Sequence, residues 1–305
     1  MQEIFANENR LISLDEWNEI ITNLNATEEL TDSEEKIALE IRRLTENAVL
    51  ERVKGKEPIG ICFSGGLDSS LIAAICKKNN IKFTCYTVGF QDGNMEVPDD
   101  IEHATQVAKF LQLTDDEFKS KIFDLLEVED IIIKTAKILK DVPENDKINK
   151  IVNLGVGSVE VAAYSISKKE KFFFSGIGSE EIFAGYDRHK TTPTNEECFN
   201  GLLKMYERDL LRDSTISTSC GFSFLTPFLD KELVSYALKI PVGYKINNIG
   251  SKMILRKAAM PYLKEFSNRP KKAAQYGSSF DKAIAKLASK NGFETKKEYY
   301  NKLLS

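Results

Sequence analysis

Apolar and polar residues alternate along the chain with different periods, and each period predicts one kind of element. Between residues 37 and 48 apolar side chains recur every three or four positions, which predicts an amphipathic helix. Thr31–Glu34 has the T-x-x-E form of a capping box at the start of this helix, and Gly55 and Pro58 end the pattern. Residues 1–57 are therefore predicted to form an N-terminal helical extension.

Short runs of consecutive apolar residues indicate buried strands. Ile59–Phe63, Phe83–Val88 and Lys171–Phe174 are such runs, and a helical stretch at residues 71–75 separates the first two. The order strand, helix, strand predicts a βαβ unit and hence a parallel sheet. We therefore predict an α/β fold in which a doubly wound, mostly parallel sheet occupies residues 58–190.

The remaining helical patterns complete this prediction. Helices are expected over residues 103–111, 128–140 and 147–168. From about residue 191 the pattern is mainly helical, with proline and glycine between the segments, so residues 191–305 are predicted to form a C-terminal helical lobe.

The first strand runs directly into the loop Ser64–Ser70, SGGLDSS. Gly65 and Gly66 permit a tight turn in which successive backbone N–H groups point at one anion. The following helix N-terminus and the hydroxyl groups of Ser64, Ser69 and Ser70 add further donors. The lysine of a Walker loop is absent. A tight connection capped by polar side chains is the alternative, but the complete motif after a buried strand favours phosphate binding.

Asp68 lies inside this predicted phosphate loop. A carboxylate beside bound phosphates would repel them unless a divalent cation lay between the two. Asp68 is therefore predicted to be a ligand of Mg²⁺.

A second glycine-rich loop, Ser175–Glu181, follows the strand Lys171–Phe174. The carboxyl ends of parallel strands lie at one edge of a sheet, where such folds bind ligands. We therefore expect the two loops to share one crevice.

The charges are well mixed along the chain. Forty-six acidic and 42 basic residues leave a net charge of −4, which gives no support for a general nucleic-acid surface. Lysines concentrate in residues 264–302, where a solvent-exposed helical face is the expected reason.

The cysteine pattern indicates a reducing compartment. An odd number of cysteines within apolar runs, with no C-x-x-C pair, predicts reduced thiols and argues against a zinc or iron–sulfur site. The polar N-terminus is not expected to be a signal peptide, and no apolar run reaches the roughly 18 residues needed to span a bilayer. We therefore expect a cytoplasmic protein. The five cysteines are Cys62, Cys76, Cys85, Cys198 and Cys220.

Five motifs resemble one enzyme family. The SGGLDSS loop resembles the pyrophosphate loop of the N-type ATP pyrophosphatases. Four more motifs follow, up to about residue 280, and their order is that of the asparagine synthetase family. This resemblance implies an adenine nucleotide alpha hydrolase-like fold. The four motifs are SGIGSEEIFAGY at Ser175–Tyr186, TPFLD at Thr226–Asp230, KMILR at Lys252–Arg256 and RPK at Arg269–Lys271.

The resemblance implies ATP and Mg²⁺ as cofactors and assigns residues to them. Asp68 and Glu180 would bind the metal, and Glu180 replaces the aspartate of the family motif. Adenine would lie against Val88. The implied ATP-binding residues are Cys62, Ser64, Gly65, Gly66, Asp68, Ser69, Ser70, Val88, Ser175 and Gly176.

The same resemblance implies catalytic and substrate residues. Lys252 would stabilise charge on the departing pyrophosphate and on the adenylate. With it, Glu180 and Glu181 are the implied catalytic residues. The implied acid-substrate residues are Asp209, Arg212, Arg256 and Lys271.

Three departures from the family pattern bear on the substrate. Ile177 stands where the family has a glutamate thought to help the incoming nitrogen nucleophile. Ser223 and Leu225 replace a charged pair before TPFLD. No glutaminase domain is expected, because Gln2 follows Met1 where an N-terminal nucleophilic cysteine would be needed.

The implied activity is that of an AMP-forming carboxylate–amine ligase. A carboxylate would attack the α-phosphorus of Mg–ATP to give an acyl-adenylate and pyrophosphate, and ammonia or an amine would then displace AMP. A separate glutaminase subunit could deliver the ammonia, and a homo-oligomer is compatible with the sequence. Two alternatives stay open, a tRNA-modifying ATP pyrophosphatase and a non-catalytic ATP-binding regulatory subunit. His103 and His189 are expected to be ordinary exposed residues.

Overall fold

The computed structural model describes residues 3–7, 10–25, 28–142, 150–269 and 273–304, and the structural statements below concern this part of the chain. Lys271 lies outside the described residues, so its substrate role stays a prediction.

The central feature is a parallel sheet, as predicted. Within the described residues it has five strands in the order β5-β4-β3-β6-β7, and every neighbouring pair is parallel. A separate two-stranded antiparallel hairpin lies near the N-terminus. The strands are β1 (Ala6–Asn7), β2 (Arg10–Leu11), β3 (Ile59–Cys62), β4 (Phe83–Phe90), β5 (Phe118–Phe123), β6 (Phe172–Phe174) and β7 (Ser223–Leu225).

Helices connect and cover these strands. The longer ones are α1 (Leu14–Leu24), α2 (Glu34–Val53), α3 (Leu67–Lys78), α4 (Asp99–Phe110), α5 (Leu125–Leu139), α6 (Lys150–Ser165), α9 (Asn195–Met205), α10 (Leu211–Cys220), α11 (Lys231–Leu238), α13 (Met253–Leu263), α15 (Phe280–Lys290) and α16 (Lys296–Leu304). The shorter ones are α7 (Ser179–Ile182), α8 (Asp187–Thr191), α12 (Val242–Lys245) and α14 (Ala274–Gly277), with 3₁₀ turns at Pro227–Leu229 and Lys264–Asn268 and a π-helical turn at Tyr206–Leu210.

Both faces of the sheet are covered, which makes it doubly wound. Successive side chains of a strand point to opposite faces. Ile59 and Ile61 of β3 accordingly belong to a buried cluster with residues of α2, α3 and α13. Val88 and Phe90 of β4 belong to a second cluster with residues of α5, α6 and α15. The predicted α/β fold is confirmed.

Two strands were not predicted from the sequence. In β5, FKSKIF, three consecutive polar residues interrupt the apolar ones, which a strand at the edge of the sheet can accommodate. The other edge strand, β7, has only three residues and lies within the part predicted to be helical. Helix α15, from the same part, packs against β4. The C-terminal part thus contributes to the central sheet, and boundaries at residues 57 and 190 remain predictions.

The N-terminal part packs on C-terminal elements. The indole N–H of buried Trp17 donates to the backbone oxygen of Leu202 at 3.0 Å. Helix α2 begins at Glu34 with Ser33 as its N-cap, so the predicted capping residue Thr31 lies two residues too early. Ser33, whose hydroxyl accepts from Lys36 N, provides the acceptor that the helix start requires.

Candidate active site at the carboxyl edge of the sheet

The loop after β3 turns sharply into helix α3. Gly65 has a positive φ of 66°, the left-handed conformation that favours glycine. The Ser64 hydroxyl accepts a hydrogen bond from Gly66 N at 3.2 Å, and the Ser69 hydroxyl accepts from Ser64 N at 3.3 Å. The loop is therefore held by its own serines at the N-terminus of a 12-residue helix, where anions bind favourably.

This loop and the loop after β6 open onto one cavity of about 400 Å³, the size range of small-molecule sites. Most of the residues predicted from the sequence line it. They are Cys62, Ser64, Gly66, Asp68, Ser69, Val88, Ser175, Gly176, Glu180, Glu181, Asp209, Arg212, Lys252 and Arg256. Two predicted residues lie behind the wall: Gly65 approaches the backbone of α4, and Ser70 is buried in α3.

Lys252 joins the two loops. Its ammonium donates to Asp68 Oδ2 and to the Ser179 hydroxyl, each at 2.7 Å, and forms an ion pair with Glu180. Lys252 is 3% exposed and adopts φ 55° just before α13. Burial alone would lower the pKa of this lysine, but the charges of Asp68 and Glu180 more than offset it and the pKa is raised. The side chain is therefore a fixed cation between two carboxylates.

Gly185 is required for this arrangement. A Cβ atom at this position would lie 1.7 Å from Glu180 Oε2 and 2.5 Å from Lys252 Cε. Any larger side chain would therefore displace the ion pair.

The chemistry of the two carboxylates fits Mg²⁺. Asp68 Oδ1 is buried and accepts no hydrogen bond from the described residues. Mg²⁺ is usually held by one or two carboxylates together with substrate phosphates and water. Within the described part of the chain, no group of three or more His, Cys, Asp or Glu could hold a metal by itself. Among the described residues, Asp68 and Glu180 are thus two donors that could bind a metal together with a phosphate ligand.

Arg212 organises another part of the cavity wall. Its guanidinium pairs with Asp213 at 2.6 Å and with Asp209 at 3.3 Å, and it donates to Asn153 Oδ1 at 3.3 Å. The Glu160 carboxylate lies 3.9 Å from the same group. Arg212 is thereby surrounded by acceptors of the protein itself.

A π-helical turn supplies the residues next to this group. Tyr206–Leu210 widens the helix by one residue, and both Arg208 and Asp209 line the cavity. Arg208 pairs with Asp209 at 2.6 Å and forms an ion pair with Glu181. Such turns frequently occur at functional sites.

Comparisons with known proteins show the family of this chain. The family model described as asparagine synthase matches residues 40–203 and 190–302. The chain belongs to the asparagine synthase family. A Methanocaldococcus jannaschii protein, whose name assigns it provisionally as a glutamine-hydrolysing asparagine synthetase, is 32% identical over 90% of this chain and 55% of its own length.

Two further relatives are named as glutamine-hydrolysing asparagine synthetases. The Gallus gallus protein is 32% identical over 80% of this chain and 44% of its own length. The Sandersonia aurantiaca protein is 30% identical over 72% of this chain and 43% of its own length. The chain therefore spans about half the length of the curated relatives it matches.

A solved structure of NAD⁺ synthetase from Burkholderia pseudomallei aligns with 92% of this chain and 98% of its own, at 13% identity and a TM-score of 0.31. A likeness of this size carries no argument about fold or function. The described helices include none that is long and apolar enough to span a bilayer.

Several residues at this site were given no role from the sequence. Arg269, which the sequence placed only in the motif RPK, donates to the backbone oxygen of Ser64 at 2.7 Å and pairs with Asp100 at 3.5 Å, so it ties the C-terminal segment to the loop Ser64–Ser70. Asp213 directly follows the predicted Arg212, and this position beside a predicted site residue could have identified it. Glu160 lies in an ordinary helical pattern, and that pattern contains no indication of a site residue.

The Arg256 side chain binds backbone oxygens of the surrounding chain. Its guanidinium donates to the backbone oxygens of Ser251 at 2.8 Å, Ser267 at 2.7 Å and Arg269 at 3.0 Å. These bonds brace the segment that presents Lys252, and the predicted contact of Arg256 with substrate remains a prediction.

The expectation that both histidines are exposed is wrong. His189 is fully buried, and its Nδ1 accepts a hydrogen bond from Tyr186 N at 3.1 Å. Burial, together with the charge of Arg188, lowers the pKa of His189 to about 4. The polar sequence around it misled because α8 packs this one side chain inward. His103 is half-buried on α4, and neither histidine lines the cavity.

We expect Glu160→Gln to stabilise the fold increasingly as the pH rises. Burial and the neighbouring Asp213 raise the pKa of Glu160 well above its ordinary value of 4.5. At pH values above 4.5 the native state binds more protons than the unfolded chain. The free energy of unfolding of the wild type therefore falls as the pH rises from 4.5 through the raised pKa of Glu160. Near pH 8 the variant should melt about 2 °C or more above wild type, which corresponds to ~1 kcal/mol in a large domain.

Thermal melting between about pH 4 and pH 8 measures this effect. Glu19→Gln, at an exposed position on α1, is the matched control and should show no pH-dependent difference. An advantage of Glu160→Gln that is equal at both ends of the pH range would contradict the assignment.

Proposed function

We propose that this chain is an ATP-dependent ligase that activates a carboxylic acid as its acyl-adenylate and then forms an amide. The acid's carboxylate oxygen attacks the α-phosphorus of ATP, and pyrophosphate leaves. Ammonia or an amine then attacks the acyl carbon, and AMP leaves as the acyl–oxygen bond breaks. The ion pair of Lys252 with Asp68 and Glu180, at the edge where both loops meet, is the observation that best supports this function.

The chain's own groups account for the phosphate end. The backbone N–H groups and serine hydroxyls of Ser64–Ser70 would bind the β- and γ-phosphates. Mg²⁺, held by Asp68 and Glu180, would neutralise phosphate charge. Lys252 lies between these acids and would stabilise negative charge as it develops on pyrophosphate. A fixed cation suits this role.

The charged residues around Arg208 and Arg212 support a cationic nitrogen substrate. Four carboxylates, those of Glu160, Glu181, Asp209 and Asp213, face two guanidinium groups, and both guanidinium groups are paired within the protein. An ammonium or alkylammonium ion would find several carboxyl oxygens as acceptors there, and its positive charge would favour the ionised form of Glu160, whose pKa is raised in its absence. Half-buried Ile177 adds an apolar wall and supports an acid bulkier or less polar than aspartate.

We propose that this activity takes place in the cytoplasm. The described cysteines are all free thiols, which supports a cytoplasmic location. Nitrogen would come from an amine with its own binding site or from ammonia delivered by a separate glutaminase subunit.

An exchange assay tests the first half-reaction. Purified chain, Mg–ATP and labelled pyrophosphate are incubated with a panel of amino acids and related carboxylates. We expect label to enter ATP only when one acid, or one narrow class of acids, is present. Release of ADP in place of AMP, or tight ATP binding without exchange for any acid, would count against the proposal; the second result would favour a regulatory ATP-binding subunit.

The nitrogen source gives a separate prediction. Because Ile177 cannot accept a proton, we expect ammonium with aspartate to give little asparagine, and glutamine, whose nitrogen must first be released as ammonia, to give none with this chain. Mass spectrometry of products formed from ATP, aspartate and either nitrogen source measures this. Ile177→Glu should increase ammonium-dependent product, whereas Ile177→Gln, of similar size but not basic, should not. Efficient asparagine formation by the wild-type chain would refute the role given to Ile177.

A further inference from the structure

The cavity wall includes a buried polar side chain, Gln275, to which no role has been assigned. Gln275 on α14 lines the cavity and is 4% exposed. Its side-chain oxygen Oε1 is buried and accepts no hydrogen bond from the described residues. A buried acceptor without a partner is rare in proteins, so it calls for a ligand or another explanation.

The position of Gln275 places it beside the predicted base site. Phe90, at the end of β4, donates its backbone N–H to the oxygen of Ser278 at 2.9 Å, so the segment that carries Gln275 lies at the carboxyl end of this strand. Val88, two residues earlier in β4, lines the same cavity.

Helix α6 provides an apolar wall of the same part of the cavity. Gln275 packs closely on this helix, since a Cβ atom added at Gly155 would lie 2.9 Å from Gln275 Cβ. Val152 and Val156, the neighbours of Gly155 along the helix, line the cavity together with Val88. Apolar side chains from a strand and a helix thus accompany one hydrogen-bond acceptor.

This combination suits a flat heterocycle that carries an amino group. Apolar side chains hold the faces of the ring, and the amide oxygen accepts from the exocyclic amine. Glutamine is well matched to adenine, with which its amide can form two hydrogen bonds at N6 and N7. A 6-oxo purine presents an oxygen where adenine presents the amine, so it meets Oε1 as a second acceptor unless the amide turns its Nε2 toward the ring.

We propose that Gln275 recognises the adenine base of ATP by accepting a hydrogen bond from its 6-amino group, and thereby selects ATP over 6-oxo purine nucleotides. The inference rests on the proposed function only in taking ATP as the ligand of this cavity. It assigns the base specificity of the site to one side chain outside the two glycine loops.

Binding measurements without acid or amine test this role separately from turnover. Calorimetric titration gives the dissociation constants of Mg–ATP and Mg–ITP for wild type, Gln275→Leu and Gln275→Glu. We expect wild type to prefer ATP, and Gln275→Leu to lose about 3–10-fold in ATP affinity, the size of one neutral hydrogen bond, with little change for ITP. Gln275→Glu, whose side chain keeps an acceptor oxygen, should retain the preference for ATP.

A control variant and melting temperatures distinguish a loss of base recognition from a loss of folding. Gln106→Leu, at an exposed position on α4, should leave both affinities unchanged, and melting temperatures establish that each variant is folded. Equal affinity of wild type for ATP and ITP, or an unchanged ATP-to-ITP ratio in folded Gln275→Leu, would overturn the role of Gln275 alone. Failure of wild type to bind either nucleotide would overturn this inference together with the proposed function.

Discussion

Replacing Lys252 by methionine is expected to reduce acid-dependent ATP–pyrophosphate exchange by about 10²–10³-fold, the usual effect of removing one group that stabilises transition-state charge. The ammonium is fixed by Asp68 and Ser179 at 2.7 Å and by its ion pair with Glu180. Because its proposed role is to stabilise negative charge that develops in the transition state, we expect ATP binding to change much less than turnover. Exchange kinetics and ATP titration together measure the two effects.

The matched control for Lys252→Met is Lys257→Met on the same helix. Lys257 is partly exposed and pairs with Glu34 and Glu35 at the surface, so its loss should leave exchange unchanged. A Lys252→Met variant that binds ATP weakly but turns over at the wild-type rate would show that the assigned role is wrong.

The same variant should also acquire a stability that depends on Mg²⁺. Without the ammonium, the Asp68 and Glu180 side chains keep two carboxylates in a mostly buried region, which is destabilising when the counter-charge is removed. A divalent cation that binds both carboxylates would replace that charge. We therefore expect Mg²⁺ to raise the Tm of Lys252→Met more than that of wild type.

Asp68→Asn is expected to reduce Mg²⁺-dependent pyrophosphate release by about 10²-fold or more, by analogy with other single electrostatic groups. Asparagine has nearly the same shape, so the loop and helix α3 should remain intact. The amide, however, has one carbonyl oxygen in place of two anionic ones, and it loses the charge that binds both Lys252 and a cation. Pyrophosphate release and Tm are measured on the same preparation.

Asp116→Asn serves as the control for this change, because the Asp116 carboxylate is exposed and pairs with Lys168 at 3.3 Å far from any proposed chemistry. If Asp68→Asn released pyrophosphate at the wild-type rate, Asp68 would have to be removed from the metal site.

Local patterns were sufficient wherever the physical cause was itself local. The runs Ile59–Phe63 and Phe83–Val88 are buried on both faces of the sheet, so their apolar character identifies them without knowledge of their neighbours. The loop Ser64–Ser70 combines glycines, hydroxyls and a helix start within seven residues, so its tight turn into α3 follows from these residues alone. The fold class and the geometry of this loop were accordingly predictable, and its binding of phosphate stays a prediction.

Edge strands and buried polar residues were not predictable in this way. Strand β5 has three consecutive polar residues and no regular strand pattern, and only its pairing with β4 makes it a strand. His189 stands in a polar stretch, and only the packing of α8 buries it. In both cases contacts distant in sequence outweigh the local pattern.

The sequence by itself determined the α/β fold, the glycine loops and the identity of the residues with charge to offer. Only the tertiary structure decided which charges meet. Lys252 and Asp68 are 184 residues apart, yet their side chains are in contact because β3 and β6 are neighbours in the sheet and α13 packs against α3. Such an ion pair forms only when the sheet order has been set, since Coulomb attraction between exposed charges is too weak to select it in an unfolded chain.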